Sequence, residues 1–273
     1  MPEIKNSPEK TLLREEQSWS FLEANWHIFK LQLPAIVSSV GIRVIDFLNV
    51  IYSTKLGDPS KVVALAMGDI MTDSFSLVWI LGMNCALETL VSQAHGAGQL
   101  GLSGAVYFRG WAVNTATALP AVFILPFSNP ILQFLGQDPG VAEQAQIYAL
   151  LTIPKAYLMG MYDLTKLYLG CFESTVPSMV IQIIACLMHI FWLQFLVIEC
   201  EWGLSGIAIA SSITALTMFL MTLAYARFIH AETRESFRLA KAYSIWDSWS
   251  VYLKLGVPGA ACWALEVWSF RGM

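Results

Sequence analysis

Seven apolar stretches recur along this chain, and no other feature constrains its fold as tightly. They run over residues 31–53, 62–85, 105–127, 146–168, 176–198, 203–228 and 250–270. A helix needs about 20 mostly apolar residues to cross a bilayer core. Hydrophobic residues make up 56% of the chain and charged residues only 13%, against roughly a quarter charged in soluble domains. Lipid is the solvent this composition calls for. An open sheet would leave backbone groups unpaired in lipid, and the chain lacks the ten-residue alternating segments of a barrel. The expected fold is an all-α membrane protein, a polytopic helical bundle of about seven transmembrane helices.

Other function classes are poorly served. The five cysteines, Cys85, Cys171, Cys186, Cys200 and Cys262, are scattered and lack CxxC spacing, so neither a metal site nor a disulfide framework is expected. There is no nucleophile motif, phosphate-cradling glycine loop or metal-ligand spacing, so no enzyme and no cofactor are expected. A net charge of −4 is too small to argue for nucleic acid. Residues 1–27 mix Lys5, Lys10 and Arg14 with five glutamates. Without an apolar core or a small-residue cleavage site they read as a polar tail, not a signal peptide.

Lys and Arg near the span ends set the orientation. With the N-terminus inside, Lys5, Lys10, Arg14, Lys30, Arg109, Lys166, Arg227, Arg234, Arg238, Lys241 and Lys254 fall on the inner side, and only Lys55, Lys61 and Arg271 on the outer. The tail and the polar linker 230–249 are then cytoplasmic. The linker divides six spans (28–229) from a seventh (250–273). On its far side "KLGVPG" at 254–259 echoes "KLQLPA" at 30–35. Each places a basic residue just inside the membrane and a proline in the expected first turn, where its missing N–H costs little. That placement fits a transporter of two repeated halves. The chain reads as one six-helix half plus the first helix of another, a truncated form.

At 82–98 the sequence reads "GMNCALETLVSQAHGAG". This resembles the hallmark of the multidrug and toxic compound extrusion (MATE) family of cation-coupled antiporters, especially its eukaryotic branch. The matching positions are Gly82, the run Ala86 to Leu90 with Glu88 at its centre, Gln93-Ala94 and Gly96-Ala97; His95 stands where an aromatic residue is usual. "LGQDP" within 129–145 is similar to the family's loop after the third helix. "WGLSGIAIASSITAL" at 202–216 is similar to the opening of its sixth helix, with Ile207 in place of an alanine. "ALEVWSF" at 264–270 resembles its seventh-helix motif. The four motifs occur in family order.

The ionisable residues within the spans are the candidate sites. An acid inside a membrane usually faces a cavity or the bundle interior, where it can exchange protons. Glu266 fits that description, and the resemblance implies a part in proton-coupled substrate binding. Its position near the end of the seventh span also allows simple hydration at the interface. Asp69 and Asp73 are four apart and share a helix face. They either border a cation path or replace amides lining a wet cavity. Glu88, at the inner end of the second span, reads first as a hydrogen-bonding residue that fixes the adjoining loop. Arg43 and Asp46, three apart, pair with each other. Lys155, next to Pro154, is either a site residue or a side chain snorkelling towards water. His189 reads as a satisfied packing histidine.

The leading expectation is a xenobiotic antiporter in a multi-pass membrane, plasma or organellar, that exports small organic cations in exchange for protons. The alternative is a non-transporting truncated protein that acts as an interaction partner of a full-length relative. Discriminating features are pH-driven flux and its dependence on Glu266.

Overall fold

The computed structural model describes residues 21–244 and 248–271; most of the expected tail, residues 1–20, lies outside them. All regular elements among the described residues are helical. Helix α1 is Phe21–Thr54. Helix α2 is Pro59–Gly96 and α3 is Leu100–Phe134. A fourth crossing is divided into α4, Pro139–Leu151, and α5, Ile153–Gly170. Helices α6, Val176–Glu199, and α7, Gly203–Ile229, follow. A short α8, Ala231–Leu239, precedes α9, Trp249–Arg271.

Five of these helices, α1, α2, α3, α6 and α7, are long and apolar enough to cross a membrane by length and composition. The fourth and seventh expected spans are more polar. The fourth is divided at Thr152 and carries Lys155, Asp163 and Lys166; the seventh carries Lys254 and Glu266. Both are nonetheless built into the same bundle. Tyr162, Leu164 and Tyr168 of α5 and Tyr252 and Ala260 of α9 belong to the largest buried apolar cluster.

Local chemistry sets the helix ends. Asp58 caps α2 by accepting from the Ser60 amide at 2.9 Å, with Pro59 at the first helical position. The Ser60 hydroxyl and amide hold the Asp58 carboxyl below its ordinary range. The "LGQDP" stretch works the same way. Gly136 turns the chain out of α3 at φ +89°, and Asp138 caps α4 through the amides of Gly140 and Val141, at 2.9 and 3.3 Å. Pro139 again stands at the start, where its missing N–H is harmless. At the other end of the bundle α2 stops at Gly98, whose φ of +70° is a conformation glycine adopts without steric cost.

Several expected boundaries are corrected. Helix α1 begins at Phe21, so Pro34 lies inside it, and Pro258 likewise lies inside α9. Neither proline of the repeated hexapeptide is in a first turn. Pro126 and Pro130 both lie within α3, which runs on to Phe134. Pro126 sits in a 3-10 turn, Leu125–Phe127, and Pro130 in the helical turns Ser128–Phe134 that follow. The linker 230–249 is not merely a polar connection, because it contains α8. Ser236 of α8 donates to the Leu100 carbonyl at 2.5 Å and accepts from the Tyr168 hydroxyl at 2.7 Å. Gly104 lets α8 come close to α3, for a Cβ there would stand 2.5 Å from the Ser236 carbonyl oxygen.

Helix α9 lies along the second half of α2, and glycines set the separation. A Cβ on Gly82 would fall on the Ala260 backbone, one on Gly259 would stand 2.8 Å from the Gly82 carbonyl oxygen, and one on Gly256 would stand 2.8 Å from Met83 Sδ. Small residues of this kind allow helix backbones to approach closely in a membrane, where packing drives association.

Candidate functional site

A cavity of about 650 Å³ lies between α1, α2 and α5, with Trp263 of α9 at its edge. Four carboxylates line it, those of Asp46, Asp69, Asp73 and Asp163, together with Arg43, Lys155 and Lys166. Two irregularities meet in its wall. Helix α2 makes a π-helical turn over Asp73–Leu77, and the fourth crossing is interrupted at Thr152. Thr72 and Thr152 sit opposite each other, buried, with their hydroxyl oxygens 2.9 Å apart. Such interruptions are frequent at functional sites, and in a membrane they persist only where protein or a cavity supplies hydrogen-bond partners.

Each interior lysine has an acid partner. Lys155 Nζ lies 3.2 Å from Asp69 Oδ1, and the same oxygen accepts from the Tyr148 hydroxyl at 3.4 Å. The Lys155 and Asp69 side chains are 13% and 24% exposed, so the pair faces the cavity from largely desolvated positions. Lower on the same helix, Lys166 Nζ lies 3.4 Å from Asp163 Oδ1. Asp163 Oδ2 accepts from Asn84 Nδ2 at 3.0 Å, and Asn114 donates to Asn84 Oδ1 at 2.9 Å. The second pair is therefore anchored to α2 and α3. Arg43 and Asp46 do pair, at 3.5 Å, on the exposed part of α1.

Lys166 also lines a second recess of about 280 Å³, at the end of the bundle where α5 finishes, and Glu88 stands in that recess. Between the two spaces the Tyr162 hydroxyl meets Ser38 Oγ at 3.2 Å and donates to Gln182 Oε1 at 3.4 Å. Lys166, Tyr162 and Ser38 form the layer that separates them.

The structure gathers only part of the expected site. Asp69 and Asp73 both line the cavity, but with Lys155 beside Asp69 their face is not purely acidic. Glu88 lies in the second recess, with an exposed side chain and a carbonyl that accepts from Cys171 Sγ at 3.7 Å. Glu266 is exposed on α9 and does not line the cavity; its carbonyl accepts from Ser269 at 2.8 Å. Gln93 borders a third recess, and a Cβ on Gly96 would meet nothing within 4 Å. The glycine that matters conformationally in that motif is Gly98. His95 packs against Phe172 with ring centroids 4.5 Å apart and the rings tilted by 54°, filling an aromatic position with an aromatic ring. His189 is buried and satisfied on both nitrogens, by Thr214 at 2.8 Å and Asn49 at 3.0 Å.

Sequence reasoning missed Asp163, Lys166 as a cavity residue, and Asn84. The spacing that paired Arg43 with Asp46 also pairs Asp163 with Lys166, so that signal was present. Among the described residues no group of three or more His, Cys, Asp or Glu side chains is placed to hold a metal ion.

Comparison with known proteins completes the picture. A profile of the MatE family matches residues 34–193. Protein DETOXIFICATION 29 of Arabidopsis thaliana is 26% identical over 241 residues, covering 88% of this chain and 47% of that protein. Protein DETOXIFICATION 34 of the same plant is 29% identical over 221 residues, covering 81% and 40%. The crystal structure of the eukaryotic MATE transporter AtDTX14 superposes with a TM-score of 0.84 at 21% identity, covering 92% of this chain and 55% of that one. An outward-facing multidrug resistance MATE transporter of the MOP superfamily gives 0.76 at 14% identity, covering 89% and 54%. The chain thus spans about half the length of the relatives it matches.

Proposed function

The chain belongs to the MatE family, and from that premise we propose that it serves the export of small organic compounds, cationic ones among them, across a membrane in exchange for protons. The observation that carries this reading is the cavity between α1, α2 and α5. An ionisable side chain inside a membrane bundle marks a substrate or ion path, and here seven of them line one space. Four carboxylates against three cationic groups leave an excess of negative charge, which favours a cation.

In this reading Asp73 meets the cationic group of the substrate, while Lys155 holds Asp69 in reserve. Protonation of Asp69 would free Lys155, and an arriving cation would compete with Lys155 for the carboxylate. The Lys166, Tyr162 and Ser38 layer closes the cavity towards the second recess. Glu266 takes the role of a proton-coupling acid from α9, on the face a second lobe would cover. The tail and α8 lie in the cytoplasm, because basic residues concentrate at that end of the helices.

Proteoliposomes containing the chain, loaded with a fluorescent organic cation and subjected to a pH gradient, test the proposal. The expected result is pH-driven flux that Glu266→Gln abolishes. Full pH-driven flux in the Glu266→Gln variant would sink the coupling assignment, and absence of flux from the unmodified chain would sink transport by this chain.

A further inference from the structure

The second recess, of about 280 Å³, is walled by α1, α2, α5 and the start of α6. Its polar lining includes Gln32, Ser38, Glu88, Lys166, Glu173 and Ser178. We propose that this recess is a binding site for the ammonium group of a small organic cation.

Charge decides the sign of the ligand. Lys166 is the cationic side chain in the lining, and Asp163 already holds it at 3.4 Å. Glu88 and Glu173 make no ion pair among the described residues. Two carboxylates therefore line the recess without a cation of the protein's own. They come from separate elements, Glu88 from α2 and Glu173 from the turn between α5 and α6. Glu173 holds a left-handed backbone conformation at φ +56°, uncommon for any residue but glycine.

Ser178 supplies the independent observation. It lines the recess from α6, is only 3% exposed, and its hydroxyl has no hydrogen-bond partner. The neighbouring Ser38 hydroxyl, by contrast, meets Tyr162 at 3.2 Å. A buried hydroxyl left alone is costly, and an N–H donated to Ser178 Oγ removes that cost. An alkylammonium carries up to three such donors, which matches two carboxylates and one hydroxyl. A metal ion fits less well, because no group of three or more His, Cys, Asp or Glu side chains is placed to hold one among the described residues. Ala35 and Leu167 give the carbon part of the ligand an apolar wall.

Lys166 also lines the cavity between α1, α2 and α5, so the two spaces share one side chain. The use of the site rests on the transport reading. There the recess is an antechamber that holds a cation until Lys166 moves aside. Occupancy of the site does not depend on transport.

Photolabelling of the full chain in nanodiscs tests the site. The probe is a short alkylammonium carrying a diazirine, and the matching alcohol is its neutral control. The ammonium is expected to label residues 170–178, mapped by peptide mass spectrometry, about tenfold more than the alcohol. Glu88→Gln/Glu173→Gln changes two exposed positions. It should keep the thermal midpoint and lose about tenfold of the labelling. Ser178→Ala should lose roughly threefold. Equal labelling by ammonium and alcohol, or unchanged labelling in the double acid variant, overturns the proposal. Label confined to residues 66–73 of the larger cavity also overturns it, yet leaves the transport reading standing. Ammonium-selective label at 170–178 in a chain that gives no flux upholds the site without transport.

Discussion

Lys155 and Asp69 show what a membrane interior does to a charge. Neither could stay ionised there alone at acceptable cost, and 86 residues of chain separate them. Their contact follows from the packing of α5 against α2, which no local spacing encodes. Double-mutant thermal unfolding isolates the pair. Lys155→Met and Asp69→Asn should each destabilise the protein, and the double variant should be less damaged than the sum of the two. The coupling expected for groups in contact is roughly 0.5–3 kcal/mol; a coupling of zero would mean that the 3.2 Å contact carries no energy. Residue spacing did reveal Arg43 with Asp46 and the shared face of Asp69 and Asp73. The same rule applied to 163 and 166 would have revealed the second lysine pair.

At the scale of elements, the number and order of long helices were legible because apolar runs of membrane length have few other uses. Their ends were less so. Prolines at 34, 126, 130 and 258 look like helix punctuation in a soluble protein. In a bundle, neighbouring helices satisfy the freed carbonyls and the helix runs on. The polar composition of 230–249 likewise hid α8, which docks on α3 through Ser236 and beside Gly104. The contact of α9 with α2 makes a sharp prediction about glycine. Gly82→Ala places a Cβ on the Ala260 backbone and should lower stability by roughly 1–3 kcal/mol, the usual cost of overpacking. Gly96→Ala, with open space around it, should leave the thermal midpoint unchanged. Equal effects of the two substitutions would contradict this account of the α2 and α9 interface.

For the whole molecule, the family was readable from four short motifs in order, whereas the cavity was not. Two of the motifs mark helix ends or close helix contacts. Gly98 stops α2, Asp138 starts α4, and Gly82 admits α9. They preserve architecture, which is why they identify a family without locating its site. The cavity is assembled from positions on α1, α2 and α5 that alternate between lipid, packing and open space, and only their juxtaposition creates it. The central claim is that this space holds an organic cation through its acids. Equilibrium binding of a fluorescent organic cation to the purified chain, compared with its Asp73→Asn variant, tests it most directly. An affinity loss of about tenfold is predicted, the scale of one hydrogen bond to a charged group. Unchanged affinity in Asp73→Asn would contradict it.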